Sequence, residues 1–145
     1  MIDISPLRAE LSADISNIEK ECFSDPWSEH VIRSAFSYPN AVSFGAFEDG
    51  HLVGYYFASY ILQEAELMNL CVLPAYRRRG LGTRLLTHLK QVLTQKQAEM
   101  IFLEVRAGNT EAQSLYKKVG FLEVGLRRGY YENNGEDAIL MRCDL

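Results

Sequence analysis

The chain has 145 residues, with 15 basic and 19 acidic side chains for a formal net charge of −4. That balance argues against general nucleic-acid binding as its main activity, and the length suits one domain around one substantial core. Cys22, Cys71 and Cys143 are odd in number, widely separated and without C-x-x-C spacing, which argues against a disulfide framework or a zinc site and for a reducing cytoplasm. Met1-Ile2-Asp3-Ile4-Ser5 lacks the basic and apolar regions of a signal peptide, and no apolar run approaches the roughly 20 residues that span a membrane. The expectation is a cytoplasmic protein with no metal, no membrane and no direct nucleic-acid partner.

Ile2 to Leu7 can form a short first strand. Asp14 is a candidate cap for a first helix whose apolar face holds Ile15, Ile18, Cys22 and Phe23. Ser24-Asp25-Pro26-Trp27 breaks that helix, and Ser28 caps a second one with Val31, Ile32, Ala35 and Phe36 at helical spacing. Trp27, the only tryptophan, is either an anchor between these helices or part of a substrate groove. After a turn at Tyr38-Pro39-Asn40, Ala41 to Phe47 and Leu52 to Leu62 are strand-like, joined at the hairpin signal Asp49-Gly50. Glu64 to Leu73 follows as the third consecutive antiparallel strand.

That strand runs through Pro74 into the basic loop Arg77-Arg78-Arg79-Gly80-Leu81-Gly82. Leu81, Leu85, Leu86, Leu89, Val92 and Leu93 then recur at helical spacing, so a helix starts near Gly80. The first amides of a helix lack intrahelical partners, and its dipole is positive at that end. Glycines let an anion approach the backbone, and arginines add donors, so the loop reads as a phosphate cradle. A P-loop would need Lys-Ser/Thr where Thr83-Arg84 stand, and a dinucleotide fingerprint would need glycine in place of Leu85. The remaining pattern, Arg77-x-x-Gly80-x-Gly82, resembles the pyrophosphate-binding signature of the Gcn5-related N-acetyltransferases (GNAT).

Met100 to Arg106 is a further apolar strand, expected to pair parallel to its predecessor because a strand–loop–helix unit precedes it. Alternation puts Ile101, Leu103 and Val105 on one face, and Phe102, Glu104 and Arg106 on the other. Glu104 in such a strand has either a chemical task or a partner, a Glu104–Arg106 pair being the structural alternative. Asn109 caps a helix carrying Ala112, Leu115, Tyr116 and Val119, which Gly120 ends. Tyr116 either faces the phosphate-loop side or packs in the core with its hydroxyl at the surface. Phe121 to Leu126 and Ala138 to Met141 are the last strands, linked through Asn133-Asn134-Gly135, where Tyr130 and Tyr131 are either a groove lining or an aromatic pair. With no repeat, low-complexity segment or linker, the reading is a single α/β domain over residues 1–145, a mixed β-sheet with flanking helices.

The segment Leu103 to Phe121, closing in Ala112-x-x-Leu115-Tyr116-x-x-x-Gly120-Phe121, also looks like a GNAT segment. Asp25-Pro26-Trp27-Ser28, Asn69, Leu103-Glu104-Val105-Arg106, Arg127-Arg128-Gly129-Tyr130-Tyr131 and Gly135-Glu136-Asp137-Ala138 are similar to one branch, the ribosomal-protein-alanine N-acetyltransferases of the RimI type. The resemblance implies the GNAT (acyl-CoA N-acyltransferase) fold. It also implies transfer of acetyl from acetyl-CoA to the α-amino group of the N-terminal alanine of small-subunit ribosomal protein eighteen. In that reading Glu104 is the general base and Tyr116 the general acid. Leu70, Cys71 and Val72 supply the backbone that holds the acetyl group and pantetheine arm. Arg78, Arg79, Gly80, Leu81, Gly82 and Thr83 form the pyrophosphate loop, and Asn109 is a further coenzyme contact. Gly108 departs from the family, where serine usually precedes the asparagine, and a more mobile loop is expected there.

An α-amino group has a pKa of about 7.7–8.0 against about 10.4 for lysine, so neutralising lysine costs about 3.4 kcal/mol more. One carboxylate therefore suffices for an N-terminus. Direct transfer suits these residues better than a ping-pong route through Cys71, which reads as a packed strand thiol. Other acceptors open to the same residues are another protein N-terminus, a lysine or a small amine. A non-catalytic coenzyme-A-binding module would not need both Glu104 and Tyr116. Nothing in the sequence sets an oligomeric state.

Overall fold

In the computed structural model, which describes residues 1–145, every strand joins one sheet. The elements run β1 (Ile2–Pro6), α1 (Ser12–Cys22), α2 (Glu29–Phe36), β2 (Ala41–Glu48), β3 (His51–Ile61), β4 (Glu64–Val72), α3 (Leu81–Gln95), β5 (Met100–Arg106), α4 (Thr110–Lys118), β6 (Leu122–Tyr131) and β7 (Glu136–Asp144). The spatial order is β1-β2-β3-β4-β5-β7-β6, antiparallel throughout except between β4 and β5. This is the mixed sheet with flanking helices that the hydrophobic pattern predicts. No helix is long and apolar enough to cross a membrane.

Local signals set several boundaries. Asp49 and Gly50 both take left-handed backbone, φ 50° and 81°, as a two-residue turn between twisted strands requires. The Ser28 hydroxyl accepts the Val31 amide at 3.2 Å and so starts α2. Leu81, Leu85, Leu86, Leu89 and Leu93 of α3 bury one face of the sheet together with Ile101, Leu103, Val105 and Met141. Ile15 of α1 and Ile32 and Ala35 of α2 cover the opposite face, over Tyr55, Phe57 and Cys71. Each leucine, isoleucine, valine, methionine or phenylalanine among them contributes about 1.5–3 kcal/mol by leaving water.

Three expectations need correction. Asp14 does not cap α1 but lies exposed inside its first turn. A short 3-10 turn, Ala9–Leu11, leads directly into the helix, and the Ser12 hydroxyl donates back to the Ala9 carbonyl at 2.6 Å. Val31 is 41% exposed, because α2 is only two turns long and its contact with the sheet is met by Ile32 and Ala35. The last two strands are longer than the apolar pattern indicates, since cross-strand pairing carries polar residues as far as Tyr131↔Glu136.

The feature that matters for function is a defect in the sheet. β4 and β5 pair only at Glu64↔Met100, Ala65↔Ile101 and Glu66↔Phe102. Beyond Glu66, Phe57 of β3 faces Asn69 while Ala58 faces Leu67, so Met68 is an extra residue that bends β4 away. β5 keeps its other partner, β7, along its whole length from Met100 to Arg106. The sheet is therefore split at its centre.

Candidate active site

A cavity of about 680 Å³ occupies the split. Because the sheet is open there, residues from both faces line it: Gly80, Gly82, Asn109, Leu115 and Tyr116 from the α3–α4 side, and Phe23, Asn69, Glu104, Arg106 and Tyr131 from the other. Of the residues that the resemblance assigns to catalysis or coenzyme binding, all except Arg79 border this one space.

On the α3 side the cavity ends at the basic loop. The first helical bond of α3 runs from the Arg84 amide to the Gly80 carbonyl at 3.0 Å, and the amides from Arg78 to Thr83 donate to no carbonyl of the protein. Arg78 and Gly80 both adopt left-handed backbone, φ 63° and 77°, which turns successive N–H groups into a concave, anion-binding arrangement. A Cβ at Gly80 would meet nothing within 4 Å, so the space over it is free for a phosphate. The arginines divide their work. Arg77 donates from Nε to the Val72 carbonyl at 3.0 Å and ties the loop to β4. Arg79 stacks 5.2 Å from the centre of the Tyr76 ring, while Arg78 stays exposed at the cavity wall.

Leu70, Cys71 and Val72 form the β4 edge that faces the split. Having lost β5 as a partner, this edge offers backbone N–H and C=O groups to whatever enters. The Cys71 side chain turns away into the α1–α2 core, 3% exposed, and burial pushes its thiol well above the usual range. A neutral, packed thiol is no nucleophile, so Cys71 can act only through its backbone.

Glu104 sits half-buried on β5 where the split begins. The alternative Glu104–Arg106 pair is absent, since Arg106 is engaged elsewhere. Its guanidinium reaches Glu136 at 3.2 Å, Asp25 at 3.5 Å and Asn133 at 3.1 Å, and lies 3.9 Å over the Tyr131 ring. Arg106 thus brackets the α1–α2 loop to the β6–β7 hairpin on the Glu104 face. Glu104 has Arg127 at 3.7 Å instead, and its carboxylate raises the Tyr130 hydroxyl above its ordinary value by hydrogen bonding and charge. A second cavity of about 370 Å³ lies on this face and shares Leu103 and Glu104 with the first; Glu66, Phe102 and Arg127 also line it.

Tyr116 is 8% exposed, with its ring 5.7 Å from Phe121. It is a core residue that also borders the cavity, and burial pushes its hydroxyl above the ordinary tyrosine value, so it stays protonated at neutral pH. Asn109 caps α4 by accepting the Ala112 amide on Oδ1 at 3.1 Å, which leaves its Nδ2 for a ligand. A hydrogen bond ties the loop at Gly108 to the final hairpin. The Gly108 amide donates to Glu136 Oε2 at 2.6 Å, and a Cβ at this position would stand 2.6 Å from the same oxygen. Glycine here makes room for Glu136.

Trp27 is an anchor, 5.5 Å from Phe57, and does not border the cavity. Tyr130 and Tyr131 pack edge to face at 5.1 Å, and only Tyr131 lines the larger space. Arg127 enters the sequence reading only within the branch motif, and its pairing with Glu104 has no signal there because the apolar pattern ends that strand at Leu126 whereas it runs on to Tyr131. The bracket role of Arg106 had one signal, a charge at the end of an apolar strand. No group of three or more His, Cys, Asp or Glu side chains is placed to hold a metal ion.

Comparison with known proteins gives a consistent picture. Residues 12–121 match the family described as acetyltransferase (GNAT). The [ribosomal protein bS18]-alanine N-acetyltransferase of Escherichia coli (strain K12) is 37% identical over 131 residues, 89% of this chain and 88% of that protein. The N-alpha-acetyltransferase RimI of Mycobacterium tuberculosis is 38% identical over 135 residues, 89% of this chain and 84% of that one. Among solved structures, that of the ribosomal-protein-S18-alanine N-acetyltransferase from Escherichia coli superposes with a TM-score of 0.92 at 35% identity, covering 99% of this chain and 94% of its own.

Proposed function

The chain belongs to the acetyltransferase (GNAT) family, and on that premise we propose that it carries acetyl from acetyl-coenzyme A to the N-terminal α-amino group of alanine on ribosomal protein bS18. One observation supports this best: the cavity passes through the split sheet, with an amide-lined loop on one face and a carboxylate on the other. Donor and acceptor can then approach from opposite sides and meet at the β4 edge, so direct transfer needs no covalent enzyme intermediate. The relatives named for bS18 and for N-alpha acetylation support the choice of acceptor, and a ribosomal acceptor implies work in the cytoplasm.

Placement supports the following roles. Amides from Arg78 to Thr83, with the Arg78 guanidinium, hold the pyrophosphate, Arg79 adding its charge from beside Tyr76 outside the cavity wall, and Asn109 Nδ2 adds a contact. The β4 edge at Leu70, Cys71 and Val72 pairs with the pantetheine amides and directs the thioester carbonyl into the split. Glu104 takes a proton from the attacking amine, directly or through water. Tyr116 gives its proton to the departing thiolate. The cavity beside Glu66 and Phe102 gives room for residues that follow the acceptor's first.

Tyr116→Phe is expected to lower kcat about twentyfold, a modest loss because a thiol near pKa 8.5 leaves tolerably without a proton. Coenzyme affinity should stay unchanged, and single-turnover rates with bound acetyl-CoA check both.

The acceptor is tested by free-thiol release with three peptides of one sequence: one beginning Ala-Arg-Tyr, one blocked at its α-amine, and one blocked but carrying a lysine. Activity on the first alone is expected. Activity on the lysine peptide alone overturns the acceptor and keeps the coenzyme. Silence on all three with coenzyme binding intact overturns the N-terminal acceptor and directs the search to small amines.

A further inference from the structure

Glu19 lies in α1 with 1% of its surface exposed, and the transfer chemistry makes no use of it. A carboxylate at that depth is costly unless donors surround it. Here they do. Oε1 accepts the Trp27 backbone amide at 2.9 Å, while Oε2 accepts Asn69 Nδ2 at 2.8 Å together with the Tyr55 hydroxyl. No arginine or lysine pairs with it.

The three donors belong to three segments: the loop between α1 and α2, the β4 bulge, and β3. Two of these border the reaction space. Asn69 lines the cavity and immediately precedes the Leu70–Val72 edge, while Phe23 and Cys22 line it where α1 ends. Farther along the same loop, Asp25 lies 3.5 Å from Arg106, which shares a strand face with Glu104. A single carboxylate therefore fastens the loop on the Glu104 side to the strand edge on the coenzyme side. Besides the Asp25–Arg106 ion pair, the loop is held by the Trp27 ring against Phe57 and by Phe23 in the same core, apolar contacts that leave the backbone direction free.

We infer that Glu19 is a positioning residue: by holding the Trp27 amide and the Asn69 side chain on one carboxylate, it sets the α1–α2 loop against the β4 bulge and fixes the mouth through which the acceptor reaches Glu104. The use of that mouth by an acceptor rests on the proposed function; the placement of the loop does not. A glutamine at this position keeps the volume but has one acceptor oxygen for three donors and turns an NH₂ toward the rest. A buried hydrogen-bond donor left unpaired reorganises its own segment, and the exposed loop is the segment with least to hold it.

Trp27 is the only tryptophan, so its fluorescence reports the loop without any reaction. Glu19→Gln and wild type are compared in acrylamide quenching of Trp27, in coenzyme A affinity by calorimetry, and in kcat and KM for the Ala-Arg-Tyr peptide. The expected result is readier quenching and an acceptor KM raised about tenfold or more, with coenzyme affinity unchanged. Unchanged quenching overturns the inference, whatever the peptide does. A parallel loss of coenzyme affinity and acceptor KM also overturns it, being the mark of a fold loosened everywhere. If wild type ignores the peptide, the acceptor reading fails while the quenching comparison still decides the role of Glu19. Should Glu19→Gln not fold, Tyr55→Phe and Asn69→Ala each remove one donor, and smaller quenching shifts in the same direction are expected; no shift in either overturns the inference.

Discussion

Glu104→Gln is expected to lower kcat/KM for an α-amine acceptor about 10³-fold at pH 7, with coenzyme affinity unchanged. The substitution keeps shape and polarity but removes the site's capacity to hold a proton. The deficit should shrink at higher pH. An α-amine of pKa about 7.7–8.0 is mostly protonated at pH 7 and mostly neutral at pH 9, so its reactive form rises about tenfold across that interval without help from the enzyme. The variant gains from that rise, whereas wild type has already supplied it, and the two profiles converge by about that factor. A pH series of kcat/KM on the Ala-Arg-Tyr peptide measures it. Wild-type turnover in the variant across the whole range would remove Glu104 as the base. A constant deficit would mean that the proton leaves after attack rather than before it. Arg127 at 3.7 Å is a built-in control, since Arg127→Met removes charge beside Glu104 without removing the carboxylate.

What the sequence discloses and what it conceals divide along the range of the interactions. Ser28, the Asp49-Gly50 turn, the start of α3 at Gly80 and the Asn109 cap all act within a few residues, and each is found where local chemistry predicts it. Asp14 fails as a cap for an equally local reason: the 3-10 turn before α1 leaves no entry point at that position. The split in the sheet is a different kind of fact. It depends on a register shift between Phe57 and Ala58 that no periodicity announces, although it creates the cavity that gives Glu104 and Tyr116 a common space. The partner of Glu104 was missed because Arg127 lies on β6, two strands away across β7. Glu19 was wholly hidden. Within α1 it is one polar residue on a helix, and its donors stand 8, 36 and 50 residues along the chain.

Gly82→Val is expected to weaken coenzyme A binding about a hundredfold or more, by a route that the loop motif alone does not suggest. Gly82 has ordinary helical backbone, so valine meets little backbone strain there. Its Cβ, however, would stand 2.8 Å from Leu115 Cδ2, and the two further methyl carbons of valine enlarge the conflict. Overpacking of this kind costs about 1–3 kcal/mol when neighbours must shift. The neighbour here is α4, which carries Asn109 at its cap and Tyr116 one residue past Leu115. The atoms met belong to the half-buried Leu115 side chain, which turns aside within the cavity it lines and crowds the coenzyme's space beside Asn109 and Tyr116. Gly80 differs, since a Cβ there meets no atom within 4 Å and the penalty is the left-handed φ of 77°, about 1–2 kcal/mol for a residue with a side chain. Calorimetric titration of folded Gly82→Val with coenzyme A tests the expectation, and wild-type affinity would refute it. The double variant Gly82→Val/Leu115→Ala then separates the two causes. Recovery of affinity assigns the loss to the displaced Leu115 side chain, whereas no recovery assigns it to valine methyls lying in the path of the phosphates.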